Sequence, residues 1–553
     1  MGAIPDALAI CYYFQGDLKT LLTTKKAAAN SLPNGVPSAL GNSNATQTAP
    51  FGVIKFSRAV KKHSFARDVI KLATGTASAQ LIGIIAAPVI ARLFAPSAFG
   101  ALAVFAAVSG PINLIACFRY ELAIPLPERD EDASHLVWLC FLLILLTTAI
   151  TALVLLVAGH QIWRILKVPA LDSSGWLIPV NVFFAGLFSV LTAWNTRNKE
   201  FSRLMALHIA TRVAITGTQI LVAFAGYASA GALVISTVLG TVTPTVILAI
   251  QTWRDSSHLF LAGLSWQPVL SLVKRYCRFP RYSVGAGFLN SVSQHLPATL
   301  LSAFFSVAVA GQFAFGSRLL RLPTALVGSN FSQAFFPRAA EARLAGTLGT
   351  LVELALIYLI KLTAFPCLLL TLIGKDVFVV FLGSRWAEAG VYSQILSAWL
   401  FTWFLSSPLD TVFVVLEEQG LELRFQAVNV VARFAAIFSG GLLGSARLAV
   451  VLFTIAGVLV YGSYSAAVVI KSRARALVIV KPLLSTFALF LPALGIIQLL
   501  RYYSASETTV LGVAAVLLVA YFSNLFRAEP AVRGFMLELR HKLSLAGSQK
   551  STG

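Results

Sequence analysis

Charge is scarce in this 553-residue chain: Asp, Glu, Lys and Arg make up 12% of it, against about 25% in an ordinary soluble domain. Acidic residues are the scarcest, 22 against 43 Lys and Arg. With 57% hydrophobic residues, that poverty excludes a soluble enzyme. Cysteine is rare too, and Cys11, Cys117, Cys140, Cys277 and Cys367 are scattered without paired or metal-ligand spacing. A disulfide framework and a zinc site are therefore not expected, and the thiols read as inert. No phosphate-binding loop, nucleophile elbow or zinc-helix motif stands out, so neither an ATP motor nor a familiar hydrolase is indicated. No signal peptide is expected either, since the short apolar patch Ala7 to Tyr13 has no basic region before it.

Long apolar runs are what the chain has in abundance. They recur from Ile70 to Phe526, each long enough to cross about 30 Å of hydrocarbon at about 1.5 Å per residue. The expected fold is an all-α polytopic membrane protein with about fourteen transmembrane helices. A net charge of +21 would suggest nucleic acid in a soluble chain, but here the basic residues fall between the apolar runs and set orientation instead. Lys61, Lys62, Arg197, Lys199, Lys274, Arg275, Lys471, Arg473 and Arg475 share one side, which places both termini in the cytoplasm of a multi-pass protein.

Residues 1–64 are rich in Ala, Asn, Ser, Thr and Gly and read as a disordered leader. Beyond them the chain looks duplicated. Pro88, Gly100 and Pro111 in spans 1 and 2 match Pro297, Gly311 and Pro323 in spans 7 and 8, while His208 and Arg212 in span 5 match Asn429 and Arg433 in span 11. This predicts two pseudo-symmetric six-helix bundles, 65–281 and 282–471, followed by two extra helices and a basic tail over 472–553.

Basic residues inside the spans carry the functional signal. An Arg or Lys at mid-bilayer costs about 2.5–3.5 kcal/mol on insertion scales and persists where it faces a wet cavity or a partner. Arg318 and Arg321 share a face of span 8 with Ser329 and Ser332, subject to a kink at Pro323. His208, Arg212, Thr216 and Gln219 share a face of span 5, and Gln426, Asn429 and Arg433 one of span 11; for Arg212 and Arg433, snorkelling to the interface is the competing account. Lys361 lies deep in span 9. Intramembrane carboxylates are few. Glu121 and Asp410 are the candidates for coupling to a proton or sodium ion, with a plain ion pair as the alternative. Asp130 and Asp132 in PERDEDA imitate a metal-binding D-x-D, but acids after Pro127 are what the first turn of a helix favours. No metal site and no other cofactor are expected.

The strings ARLFAPSAFG (Ala91 to Gly100), RYELAIPLP (Arg119 to Pro127), GQFAFGSRLLRLPTALVGSNFSQAFFPRAAEA (Gly311 to Ala342) and FLGSRWAEAG (Phe381 to Gly390) resemble bacterial oligosaccharide flippases. These form the polysaccharide transporter branch of a superfamily that also holds multidrug exporters and the peptidoglycan-precursor flippase. The resemblance covers roughly residues 65–530. It implies paired six-helix bundles, a cationic central cavity and alternating access that flips polyprenyl-pyrophosphate-linked sugars across the bacterial inner membrane for exopolysaccharide, O-antigen or capsule assembly. Arg318, Arg321, Arg212, Arg433, Lys361 and Arg119 are then the candidate substrate-binding cations. Membrane lipid, a polysaccharide polymerase and chain-length machinery are the expected partners, with no nucleic acid and no enzymatic step. A multidrug exporter of the same superfamily is the rival, although it would need acidic groups for cationic substrates. A membrane polysaccharide polymerase or ligase is the other, but the longest outside connection, about Gly159 to Gly175, is too short for a catalytic loop.

Overall fold

The computed structural model describes residues 62–261, 266–277 and 279–528. The expected leader therefore lies outside the described residues except for its last three, which open the first helix. The basic tail beyond residue 528 also lies outside them.

Helices stand at each of the fourteen expected positions. They are α1 Lys62–Leu93, α2 Pro96–Ile115, α3 Asp130–Ile165, α4 Leu177–Arg197, α5 Phe201–Phe224 and α6 Ala230–Leu261. The second six are α7 Val284–Phe304, α8 in two pieces (Val307–Leu320 and Leu322–Leu344), α9 Leu348–Leu382, α10 Ala387–Ser406 with its continuation Asp410–Leu416, α11 Gln419–Leu442 and α12 Ala446–Ser472. Helices α13 Ala476–Tyr502 and α14 Glu507–Ala528 complete the series. Among the described residues, eleven are long and apolar enough to cross a membrane, and the described parts of α1, α7 and α8 fall short of that standard. Helix α7 falls short because it carries Asn290, Gln294 and His295, and the first piece of α8 because it ends at Leu320. Proline has no N–H to donate, and Pro323 stands in the first turn of the second piece of α8, so the helix is interrupted at Arg321, where the sequence anticipated a kink.

Local chemistry sets the helix ends. Pro96 opens α2, where a missing N–H costs nothing, and the hydroxyls of Ser306 and Ser445 accept from the amides of Val309 and Leu448 to cap α8 and α12. Asp130, Glu131 and Asp132 form the first turn of α3, where they complement the helix dipole. Arg197 at the end of α4 grips this turn, 2.8 Å from Asp130, and donates to the Pro127 carbonyl. The D-x-D string is thus a helix start. Helix α3 runs on to Ile165, which leaves the following connection shorter than the sequence implied.

Packing repeats with the sequence. Within the first six helices α2 packs on α4, α3 on α4, α4 on α6 and α5 on α6; the equivalent pairs α8 with α10, α9 with α10, α10 with α12 and α11 with α12 form in the second six. The two sets meet chiefly where α2 packs on α7 and α8. Helices α13 and α14 both lean on α9, through Phe365, Leu369, Phe490 and Tyr521. Odd-numbered helices end on one face, here the far face, where α1 approaches the end of α9 and α3 approaches that of α7.

One sequence expectation changes. The cysteines are not all apart: Cys117 and Cys140 are buried, unbridged neighbours, brought together by the packing of α3 against the end of α2. The adjacent Cys140 thiol, burial and the Glu121 carboxylate hold the Cys117 thiol well above its usual range, which keeps it protonated and unreactive.

Candidate substrate cavity

A cavity of about 210 Å³ lies between the two sets of helices. Gln80 and Gly83 of α1, Phe99 and Ala106 of α2, Arg212, Thr216 and Gln219 of α5, and Phe315 and Arg318 of α8 line it. Its two cations come from opposite ends of the molecule. Arg212 lies eleven residues after the start of α5 and Arg318 eleven after the start of α8, so each reaches about 16 Å along its helix. They meet at mid-depth. Gly83 faces Arg212, and a Cβ there would be in ordinary van der Waals contact with the guanidinium carbon at 3.4 Å. Arg318 is exposed to the cavity rather than packed.

The positive field extends into the second six helices. Arg212 and Arg321 both act electrostatically on Arg318, and Arg433 acts on Arg321. No carboxylate pairs with any of these four arginines among the described residues. Four guanidinium groups with no acidic partner at membrane depth are expensive, and an anion in the cavity would relieve that cost.

The four are held differently. Arg321 bends back on its own helix, its Nε donating to the Ser317 carbonyl at 3.2 Å, and is half-buried. Arg433 is only 7% exposed and sits in an aromatic cage, 5.7 Å from the Trp399 ring, 5.3 Å from Phe453 and 5.8 Å from Tyr461, whose hydroxyl accepts from it at 3.1 Å. The matched pair Arg212 and Arg433 therefore diverges: one lines the cavity, the other is stored inside its own set of helices.

The remaining candidates lie elsewhere. Lys361 is one turn before Phe365 on α9; the Tyr521 hydroxyl of α14 donates to the Lys361 carbonyl at 2.5 Å, and Tyr521 stacks on Phe365 at 4.4 Å. Arg119 and Glu121 pair with each other at 3.4 Å beyond the end of α2, where Cys117 also donates to Glu121 at 2.8 Å. Asp410 opens the short continuation of α10 and faces Tyr464 and Glu422, although the Tyr464 hydroxyl is not within hydrogen-bond geometry. Glu422 and the cage residues Trp399, Phe453 and Tyr461 escape sequence reading, because residues from three helices meet there only after packing. The side chain of Ser329 lies outside the described residues, and Ser332 donates to the Pro408 carbonyl.

Comparison with known proteins places this architecture. No curated protein sequence is similar to the chain. The fold matches a structure described as "Lipid II flippase MurJ, inward closed conformation", with 12% identity, a TM-score of 0.62 and coverage of 83% of this chain and 99% of that one. It also matches an "Inward-facing conformation of a multidrug resistance MATE family transporter of the MOP superfamily", with 14% identity, a TM-score of 0.54 and coverage of 72% and 96%. At such identities the likeness establishes the fold alone. A family model described as "Polysaccharide biosynthesis protein" matches residues 89–391, more than half of the sequence. The chain is a multi-pass membrane protein that belongs to the polysaccharide biosynthesis protein family and has the fold shared by the lipid II flippase and MATE transporters.

Proposed function

We propose that the protein flips a polyprenyl-pyrophosphate-linked oligosaccharide across the bacterial inner membrane by alternating access, without a catalytic step. The observation that carries this reading is the cavity in which Arg212 and Arg318 stand without a carboxylate among the described residues. A pyrophosphate supplies the missing negative charge, and guanidinium groups suit its oxygens by bidentate hydrogen bonding. Gln80, Thr216 and Gln219 offer polar walls to the sugars, while the prenyl tail remains in lipid. A wall of this sign disfavours the organic cations that a multidrug exporter carries. Family membership supports a role in polysaccharide assembly; exopolysaccharide, O-antigen or capsule is the proposed product, and a polymerase and chain-length machinery are the proposed partners.

Both termini are proposed to lie in the cytoplasm, and Asp410 or Glu121 to bind the coupling proton or sodium ion. The test is flipping of a fluorescent prenyl-pyrophosphate-linked sugar in vesicles reconstituted with the purified protein. Full activity in the Arg212→Ala and Arg318→Ala double variant, at normal folding, would remove the anion site.

A further inference from the structure

We infer that the far face of the cavity is closed by reciprocal helix capping, in which each set of six helices donates side-chain hydrogen bonds to the terminal carbonyls of the other's helices. Trp386, Arg92, Ser302 and Lys167 are the latch residues. This rests on the alternating-access reading, because a latch matters only if the two sets separate.

Side-chain hydrogen bonds join the sets at four places on the far face. Trp386, in the turn before α10, donates from Nε1 to the Ala91 carbonyl of α1 at 2.8 Å, and Arg92 of α1 donates to the Val380 carbonyl of α9 at 2.9 Å. A second reciprocal pair is formed by Ser302 of α7, which donates to the Leu166 carbonyl at the end of α3 at 2.7 Å, and Lys167, which donates to the Phe304 carbonyl of α7 at 3.3 Å. Every acceptor lies in the last turn of its helix or at the cap just beyond it. The final four carbonyls of a helix have no partner within it and must be satisfied by side chains or water.

That choice of acceptor makes the closure reversible. Carbonyls inside a helix already have partners and offer little, whereas terminal ones exchange a protein donor for water at small net cost. The closed face is therefore held by bonds that solvent replaces as the sets part. An aromatic wedge adds shape: the rings of Phe99, Phe315 and Trp386 lie 4.5 to 5.2 Å apart and join α2, α8 and the turn before α10 directly beside the cavity. Gly383, at φ +100°, turns the chain out of α9 and aims Trp386 across the divide; a side chain at that dihedral is strained. Lys167 is itself held at φ +56°, an uncommon conformation for a residue with a Cβ.

The test uses the full chain with its five native cysteines replaced and one reporter, Ala106→Cys, on the cavity wall. A membrane-impermeant maleimide is applied to intact cells and the labelling rate is followed. Trp386→Phe keeps the ring but removes the donor, and Ser302→Ala removes the other donor of the second six helices. Each variant is expected to speed external labelling about two- to tenfold, and the pair more than either, as the net worth of a hydrogen bond implies. Arg92→Met and Lys167→Met should act in the same direction. Unchanged labelling in the Trp386→Phe and Ser302→Ala double variant, with the protein monodisperse after extraction, overturns the latch. Faster labelling in a protein that moves no prenyl-linked sugar would instead retain the latch and discard the proposed substrate.

Discussion

Gly100 of α2 and Gly311 of α8, matched positions of the duplicated sequence, touch at the crossing of the two sets of helices. A Cβ on Gly311 would lie 2.6 Å from the Gly100 nitrogen and would collide with the Pro96 carbonyl; one on Gly100 would collide with the Val307 carbonyl. The obstacles are backbone atoms, which cannot swing aside as a side chain can. Close approach of this kind is how membrane helices gain contact where no hydrophobic force drives them together.

Gly311→Val is accordingly expected to reduce folded protein sharply, with a penalty at or above the usual overpacking range of about 1–3 kcal/mol. Gly217→Ala provides the contrast, because nothing lies within 4 Å of a Cβ there. Thermal unfolding of the extracted protein checks both: the first variant should melt well below the parent, the second at or above it.

Arg318 and Arg433 should separate transport from stability. Arg318→Met removes an unpaired cavity cation, so flipping is expected to fall at least tenfold while the melting temperature holds or rises. Arg433→Met removes the guanidinium from the aromatic cage and should lower the melting temperature, since that group contacts three rings and the Tyr461 hydroxyl. Lysine at 318 should restore part of the transport if charge alone matters and little if bidentate geometry is used. Equal loss of stability in both methionine variants would contradict this division.

Asp410→Asn tests the coupling proposal. Asp410 has no cationic partner among the described residues, whereas Glu121 is paired with Arg119, so the effect should be larger at Asp410. Gradient-driven accumulation in vesicles is expected to be lost in Asp410→Asn while passive equilibration of the labelled sugar persists. Accumulation at the parental level would make Asp410 a structural group.

Topology is checked by reporter fusions. Fusions after Lys167 and Gly383 should report the outside of the membrane, and fusions after Lys199 and Arg473 the cytoplasm. A cytoplasmic signal after Gly383 would reverse the proposed orientation and place the latch on the inner face.

Membrane helices and their order were legible in the sequence because they follow from one-dimensional properties. An apolar run of sufficient length must be helical in lipid, where every backbone group needs an internal partner, and Pro88, Gly100 and Pro111 recur as Pro297, Gly311 and Pro323 whatever the packing. Arg212 and Arg318 stood out for the same reason, since charge in an apolar run is conspicuous without any knowledge of neighbours. What those arginines face was decided only in three dimensions. Helical spacing treated Arg212 and Arg433 alike, yet Arg212 lines the cavity beside Gln80 and Gln219 while Trp399, Phe453 and Tyr461 converge from α10 and α12 around Arg433. Lys361 looked equivalent by depth, but the face it shares with Phe365 is taken by α14. The latch was invisible for a deeper reason: its acceptors are backbone carbonyls, which every residue possesses, and only the meeting of helix ends selects Ala91, Leu166, Phe304 and Val380. Depth and charge belong to the sequence, whereas the partner of each charge and of each helix end is a property of the packed chain.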